Sequence, residues 1–368
     1  MKKTIIILFV LSITSFAFAN DNLLKQLEKD IENYRLERFS KIEAAFILSG
    51  AETRDSLRYY TNWYYDLVRT VKGFDLDMFD RPGSAGKVFS YLHTKWLIDY
   101  EEKATTLLDV VKHQRFNCVA GTILFNLICE ELGWPTEAFE TPSHTYTVFS
   151  NFTERIRVEN TTAHGFDIMK NLRAYSRYLL QFYPREKQLQ IGLDQIYAYE
   201  NSNGRPIDNT ELLGLLAYNR AYFARQAGDY GKAYDFVLLA QKFNRDSRSN
   251  INFEKNLYYT WGKKLIDQRR YRESFTVFAD AAYRYWENDH FANNCRVAYY
   301  KAQKKHWQQK DWPAFQQLVE EITQLDVLTD KDWQNMQHHR GVWTDYARQH
   351  FSQQEFDNMQ NFWQDILD

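Results

Sequence analysis

Arg115-Phe116-Asn117-Cys118-Val119-Ala120-Gly121-Thr122 opens the stretch on which the reading of this chain turns. Apolar residues then fall at 119, 120, 123, 124, 127, 128 and 132, the spacing of one helical face, and Gly133 followed by Pro135 stops the helix. The spacing predicts a helix over 118–132 with Cys118 at its N-terminus, where unpaired backbone amides and the macrodipole favour a thiolate. Beyond Pro135 the period becomes two: 136–139, 144–150 and 154–160 alternate and are rich in Thr, Val, Phe and Tyr, with turns at 141–143 and 151–153. A helix followed by antiparallel strands is expected. His144 starts one strand and Glu159 ends its hairpin partner, so both approach the helix tip from the same end of the sheet. A thiol with a free pKa of about 8.5 is mostly protonated at neutral pH. An imidazole that takes its proton, with a third polar group fixing the imidazole's tautomer, completes a thiol nucleophile.

The chain has 368 residues, more than one domain usually holds. Hydrophobic residues at 44% and aromatics at 17% exclude disorder and favour helices stacked through large flat side chains. A net charge of −2, with Lys and Arg dispersed, leaves no electrostatic footprint for nucleic acid. Lys2 and Lys3, the apolar run from Ile5 to Phe18, and Ala17-Phe18-Ala19 read as a signal peptide over 1–19, with the mature chain beginning at Asn20. That run is shorter than the roughly 20 apolar residues that span a bilayer, so the expectation is an exported protein, periplasmic or secreted, with no stable membrane anchor. Its 3 cysteines are an odd number, which leaves at least one thiol free. Cys118 and Cys129 on one helix stand about 16 Å apart, beyond disulfide reach. Cys129, between Ile128 and Leu132, reads as a small buried hydrophobe, and Cys295 as structural. The other histidines show no ligand spacing, and neither HExxH nor CxxC occurs, so no metal and no cofactor is expected.

The block from Asn117 onward resembles the transglutaminase-like superfamily, in which a Cys-headed helix packs on a sheet carrying His and Asp. Asn117-Cys118 through Leu132-Gly133 is similar to its Cys helix, His144-Thr145-Tyr146 to its His-small-aromatic strand, and Val158-Glu159-Asn160-Thr161 to its hydrophobic-Asp-Pro-Thr segment. The resemblance implies that Cys118 is the nucleophile, His144 the base and Glu159 the orienter. Glu stands where the family has Asp, and Asn160 where it has Pro, so Asn160 is an alternative orienter. Neighbours on a strand face opposite ways, so only one of the two points at His144. The oxyanion hole would use the Cys118 amide, with the Asn117 side chain a candidate second donor.

Residues 20–112 read as helical, with stripes Leu23, Leu24, Leu27, Ile31, Tyr34 and Val88, Tyr91, Leu92, Trp96, Tyr100. The clearest turn-rich boundary is Asn201-Ser202-Asn203-Gly204-Arg205-Pro206. Beyond it the chain repeats. Tyr230 with Ala233, Val237 and Ala240 aligns with Tyr271, Ser274, Phe278 and Ala281, and then with Trp312, Phe315, Val319 and Ile322, at a shift of 41 residues; a looser fourth unit follows at about 44. Two helices per unit fit this spacing, and the pattern resembles tetratricopeptide repeats, whose usual period is about 34.

The expected fold class is therefore α+β: a transglutaminase-like (papain-like) core, with a Cys-headed helix on an antiparallel sheet, followed by an all-α tetratricopeptide-like repeat domain. The expected organisation is 1–19 signal peptide, 20–112 supporting helices, 113–175 catalytic core, 176–206 connecting segment and 207–368 repeats. The expected function is an exported thiol enzyme that hydrolyses or transfers peptide or amide bonds, a cysteine protease, amidase or acyltransferase with a peptide or protein substrate. The alternative is an inactive binding or assembly scaffold whose repeats engage a protein partner.

Overall fold

The computed structural model describes residues 23–150, 155–168 and 202–367, with single positions at 176, 177, 180, 192 and 195. The signal-peptide segment 1–19, the turn at 151–153 and most of the connecting segment lie outside the described residues. The described residues fall into two compact units, 23–253 and 254–367.

The first unit opens with α1 (Leu23–Asp30), α2 (Lys41–Ser49), α3 (Arg54–Lys72) and α4 (Arg81–Lys95). Their starts are written locally: reciprocal capping boxes pair Ser40 with Glu43 and Thr53 with Ser56, and Asp80 caps α4 ahead of Pro82. Strand β1 (Asp99–Tyr100) lies parallel to β2 (Arg115–Phe116), with α5 (Leu107–His113) as the crossover between them. Then come α6 (Cys118–Glu131), β3 (Thr136–Glu140), β4 (Thr145–Ser150), β5 (Arg155–Val158) and β6 (Arg205–Ile207). These four strands pair antiparallel in the order β5-β4-β3-β6. Two helices, α7 (Asn209–Gln226) and α8 (Tyr230–Phe243), follow, and α9 (Arg248–Asp267) carries the chain out of this unit.

Helix α6 is buried on every face from Val119 to Cys129 instead of along one stripe, because α4, α5, α7 and the sheet all pack against it. Its polar positions, Thr122 and Asn126, are satisfied inside the core: Asn126 donates to Asn209 Oδ1 at 2.8 Å and accepts from Thr147 Oγ1 at 2.5 Å, while Thr122 Oγ1 accepts from Asn160 Nδ2 at 3.2 Å. This polar set links α6 to β4, to the segment after β5 and to α7.

The second unit holds α10 (Tyr271–Arg284), α11 (Asp289–Gln309), α12 (Trp312–Thr323), α13 (Asp330–His350) and α14 (Gln353–Leu367). Tyr230, Tyr271, Trp312 and Gln353 begin the second helix of successive pairs at a constant interval of 41 residues, so the fourth pair keeps the period of the others, not the looser 44. Within this unit Gly262 lies against the Phe278 ring, and Ser274 Oγ donates to the Gly262 carbonyl at 2.9 Å, a close crossing that larger residues would block.

The α+β expectation, with its papain-like core as the organising element, is not met. Among the described residues fourteen helices stand against one two-stranded and one four-stranded sheet, and the longest strand has 6 residues. The alternation over 136–160 is real but local; the helical periodicities before and after it make the chain predominantly helical.

Candidate active site

Cys118 is the first residue of α6 and half-buried; its thiol is free of any disulfide, as are those of the buried Cys129 and Cys295. Asn117 forms the N-cap, its Oδ1 accepting from the Val119 and Ala120 amides at 3.1 Å each. Its Nδ2 donates to the Glu102 carbonyl at 3.4 Å. The Asn117 side chain is thus spent on starting the helix and on holding the segment after β1 beside it.

His144 sits immediately before β4, and Glu159 immediately after β5, both one residue outside the strands themselves. A tight turn presents the imidazole: the Thr141 amide donates to the His144 carbonyl at 2.8 Å, and Thr141 Oγ1 accepts from the His144 amide at 3.0 Å. The ring's Nε2 donates to Glu159 Oε2 at 2.7 Å, and both side chains are 0% exposed. Glu159 Oε1 in turn accepts from the Thr161 hydroxyl at 2.7 Å. Asn160 faces the other way, donating to Thr147 Oγ1 at 2.8 Å and to Thr122 Oγ1 at 3.2 Å. Of the two orienters left open by sequence, the geometry brings Glu159 to His144 and gives Asn160 to the packing of α6.

Burial works against a charged imidazole, but the Glu159 carboxylate and a hydrogen bond with Cys118 outweigh it and push His144 up to about 10. His93 provides the contrast. Half-buried against the Phe89 and Phe116 rings, it is pushed down to about 4, because desolvation outweighs its backbone hydrogen bond with Leu97 and the attraction of Glu159. With Nε2 committed to Glu159, Nδ1 is the ring atom left for Cys118. Tyr100, paired in register with Phe116, is 38% exposed; partial desolvation, and then the neighbouring Cys118 and Glu159, raise its phenol.

Three supports escaped the sequence reading. Gly165 accepts from the Glu159 amide at 2.9 Å, and a Cβ there would stand 1.8 Å from the Glu159 carbonyl oxygen, so only glycine permits that approach. Glu140, buried at the end of β3, accepts from Asn244 Nδ2 at 3.1 Å and Ser247 Oγ at 2.9 Å, which anchors the turn that carries His144. Helix α7 forms one wall of a cleft of about 100 Å³ over Cys118 and His144, through Leu215, Tyr218 and Asn219. None of these contacts has a local sequence signal; each joins segments distant in the chain or rests on one glycine.

A larger cavity, about 490 Å³, lies in the second unit between Lys255, Arg284 and Trp286, and no cysteine lines it. Among the described residues no group of three His, Cys, Asp or Glu is placed to hold a metal, and no helix is long and apolar enough to cross a membrane. No family model and no curated protein matches the chain. Among solved structures it is similar to menin, in a crystal structure that reveals menin's binding site for Mixed Lineage Leukemia protein. The likeness has 12% sequence identity and a TM-score of 0.30 over 87% of this chain and 72% of that one, too loose to assign fold or function.

Proposed function

We propose that the chain is a thiol enzyme that cleaves or transfers amide bonds through Cys118, His144 and Glu159. The observation that carries this reading is the fully buried 2.7 Å contact between His144 and Glu159, set against a half-buried cysteine at a helix N-terminus. A carboxylate sealed from water beside an imidazole keeps that imidazole protonated, and a cationic imidazole next to a thiol favours the ion pair used in nucleophilic attack. The residue-by-residue resemblance of the three segments to the transglutaminase-like superfamily supports the same roles.

In this reading Sγ attacks the carbonyl carbon, forming a C–S bond while the carbonyl π electrons move to oxygen. The tetrahedral intermediate collapses, and His144 gives its proton to the departing amine. Water, deprotonated by His144, then hydrolyses the thioester and restores the thiol; an amine in place of water would complete a transfer. The cleft volume of about 100 Å³ suits one side chain or an amide end, not a folded segment. The segment 1–19 supports an exported setting for this chemistry.

The test is digestion of a mixed peptide pool in H₂¹⁸O, followed by mass spectrometry. The reading predicts ¹⁸O in newly formed carboxyl groups, lost in Cys118→Ala and in His144→Ala. Absence of turnover by the wild-type chain, with and without an added primary amine, would favour the competing reading, a scaffold whose helix pairs carry the function.

A further inference from the structure

Asn219 lies on α7, a helix outside all three segments that supply the thiol, imidazole and carboxylate, yet it lines the same cleft as Cys118 and His144. Its side-chain nitrogen is sequestered from solvent and has no hydrogen-bond partner among the described residues. Leaving a buried amide donor unsatisfied costs about 1–3 kcal/mol, so such a group calls for an explanation. Leu215, one turn before it, and Tyr218, three residues after Leu215, also line the cleft, which puts this wall of α7 against the thiol. Meanwhile Asn117, the side-chain donor nearest to Cys118 in sequence, is already committed to the helix cap and to the Glu102 carbonyl.

We infer that Asn219 Nδ2 donates a hydrogen bond to the carbonyl oxygen of the substrate as that oxygen becomes an oxyanion. The inference rests on the proposed thiol chemistry and adds the group that stabilises its intermediate. When Cys118 Sγ bonds to the carbonyl carbon, the electron pair of the C=O π bond moves to oxygen. The Asn219 N–H and the Cys118 backbone amide then share that charge until the pair returns and the leaving group departs. A donor fixed on a helix and already desolvated needs no reorganisation at that moment. The ligand class that follows is an acyl group whose carbonyl oxygen points at α7.

Two reagents separate this role from the reactivity of the thiol itself. p-Nitrophenyl acetate acylates Cys118 through an oxyanion and releases p-nitrophenolate. Iodoacetamide alkylates Sγ by displacing iodide, with no oxyanion formed. Asn219→Ala, helix-favouring at this position, is expected to slow acylation on the order of 10²-fold while alkylation stays within about twofold. Asn219→Leu, of nearly the same shape, neutral and without the donor, carries the same expectation if the alanine variant does not fold. Equal acylation rates in wild type and variants would overturn the inference and leave the thiol chemistry standing, as would a parallel fall in both rates. A wild-type Cys118 inert to both reagents would overturn the inference together with the reading it rests on.

Discussion

Replacing Glu159 with glutamine keeps the shape of the buried partner and removes its charge. In the folded chain His144 is pushed up to about 10, whereas the unfolded chain leaves it near 6.5. Between those values the folded state binds the extra proton, so stability falls as pH rises across the window and is fully present below it. At pH 7 the contribution spans the three units up to the folded value, about 4 kcal/mol at ~1.4 kcal/mol per unit. The figure agrees with the ~3–5 kcal/mol expected when one member of a buried pair is removed. For a unit of this size it corresponds to a loss of about 8–16 °C in melting temperature. Cys129, 0% exposed in α6, reports the melting of this unit alone: its alkylation during a temperature ramp, read by peptide mass mapping, follows exposure of the helix. Wild type should melt progressively lower from pH 7 to pH 10, Glu159→Gln should start lower and vary less, and the gap should shrink to under ~1 kcal/mol at pH 10. Parallel pH dependences in the two proteins, or a gap of less than about 2 °C at pH 7, would refute the reasoning.

Gly165→Ala places a methyl group against the Glu159 carbonyl oxygen and should destabilise the unit by about 3 kcal/mol while slowing Cys118 alkylation; unchanged kinetics and melting would show that the loop yields without disturbing Glu159. Asn126→Ala strands the buried partners Thr147 and Asn209 and should cost about 2–4 kcal/mol in urea unfolding read by Cys129 exposure, with an unshifted midpoint counting against a structural role for the polar core. In the second unit, Gly262→Ala drives a methyl into the buried Phe278 ring, and a loss of about 1–3 kcal/mol should appear there with Cys295 exposure as the readout.

What was legible in the sequence was local. The start of α6 follows from Asn117 as cap, and its end from Gly133 and Pro135; the strands 136–140 and 145–150 follow from alternation bounded by a turn. The opposed orientations of Glu159 and Asn160 follow from the two-residue period of extended chain. The repeat is carried by small residues where paired helices cross, and its period survives into a fourth pair that sequence comparison had placed three residues late, because Gln353 begins a helix without the aromatic that marks the others. The fold class departs from the α+β expectation for a physical reason: the alternation over 136–160 builds one small sheet, whereas the helical stripes on either side form the fourteen helices of the described residues. Asn219 and Glu140 stayed invisible because their importance comes from what tertiary packing sets beside them. Asn219 gains its interest from a wall built by α7, and Glu140 from Asn244 and Ser247, more than a hundred residues further on.

The central claim is that Cys118 and His144 act as a pair, and alkylation by iodoacetamide at pH 6.5 tests it most directly, in wild type and in His144→Ala, with each thiol read separately by peptide mass mapping. The account predicts that Cys118 alone is labelled, that Cys129 and Cys295 are spared, and that the Cys118 rate falls by about tenfold or more in the variant. A Cys118 that does not react, or that reacts equally with and without His144, would contradict it.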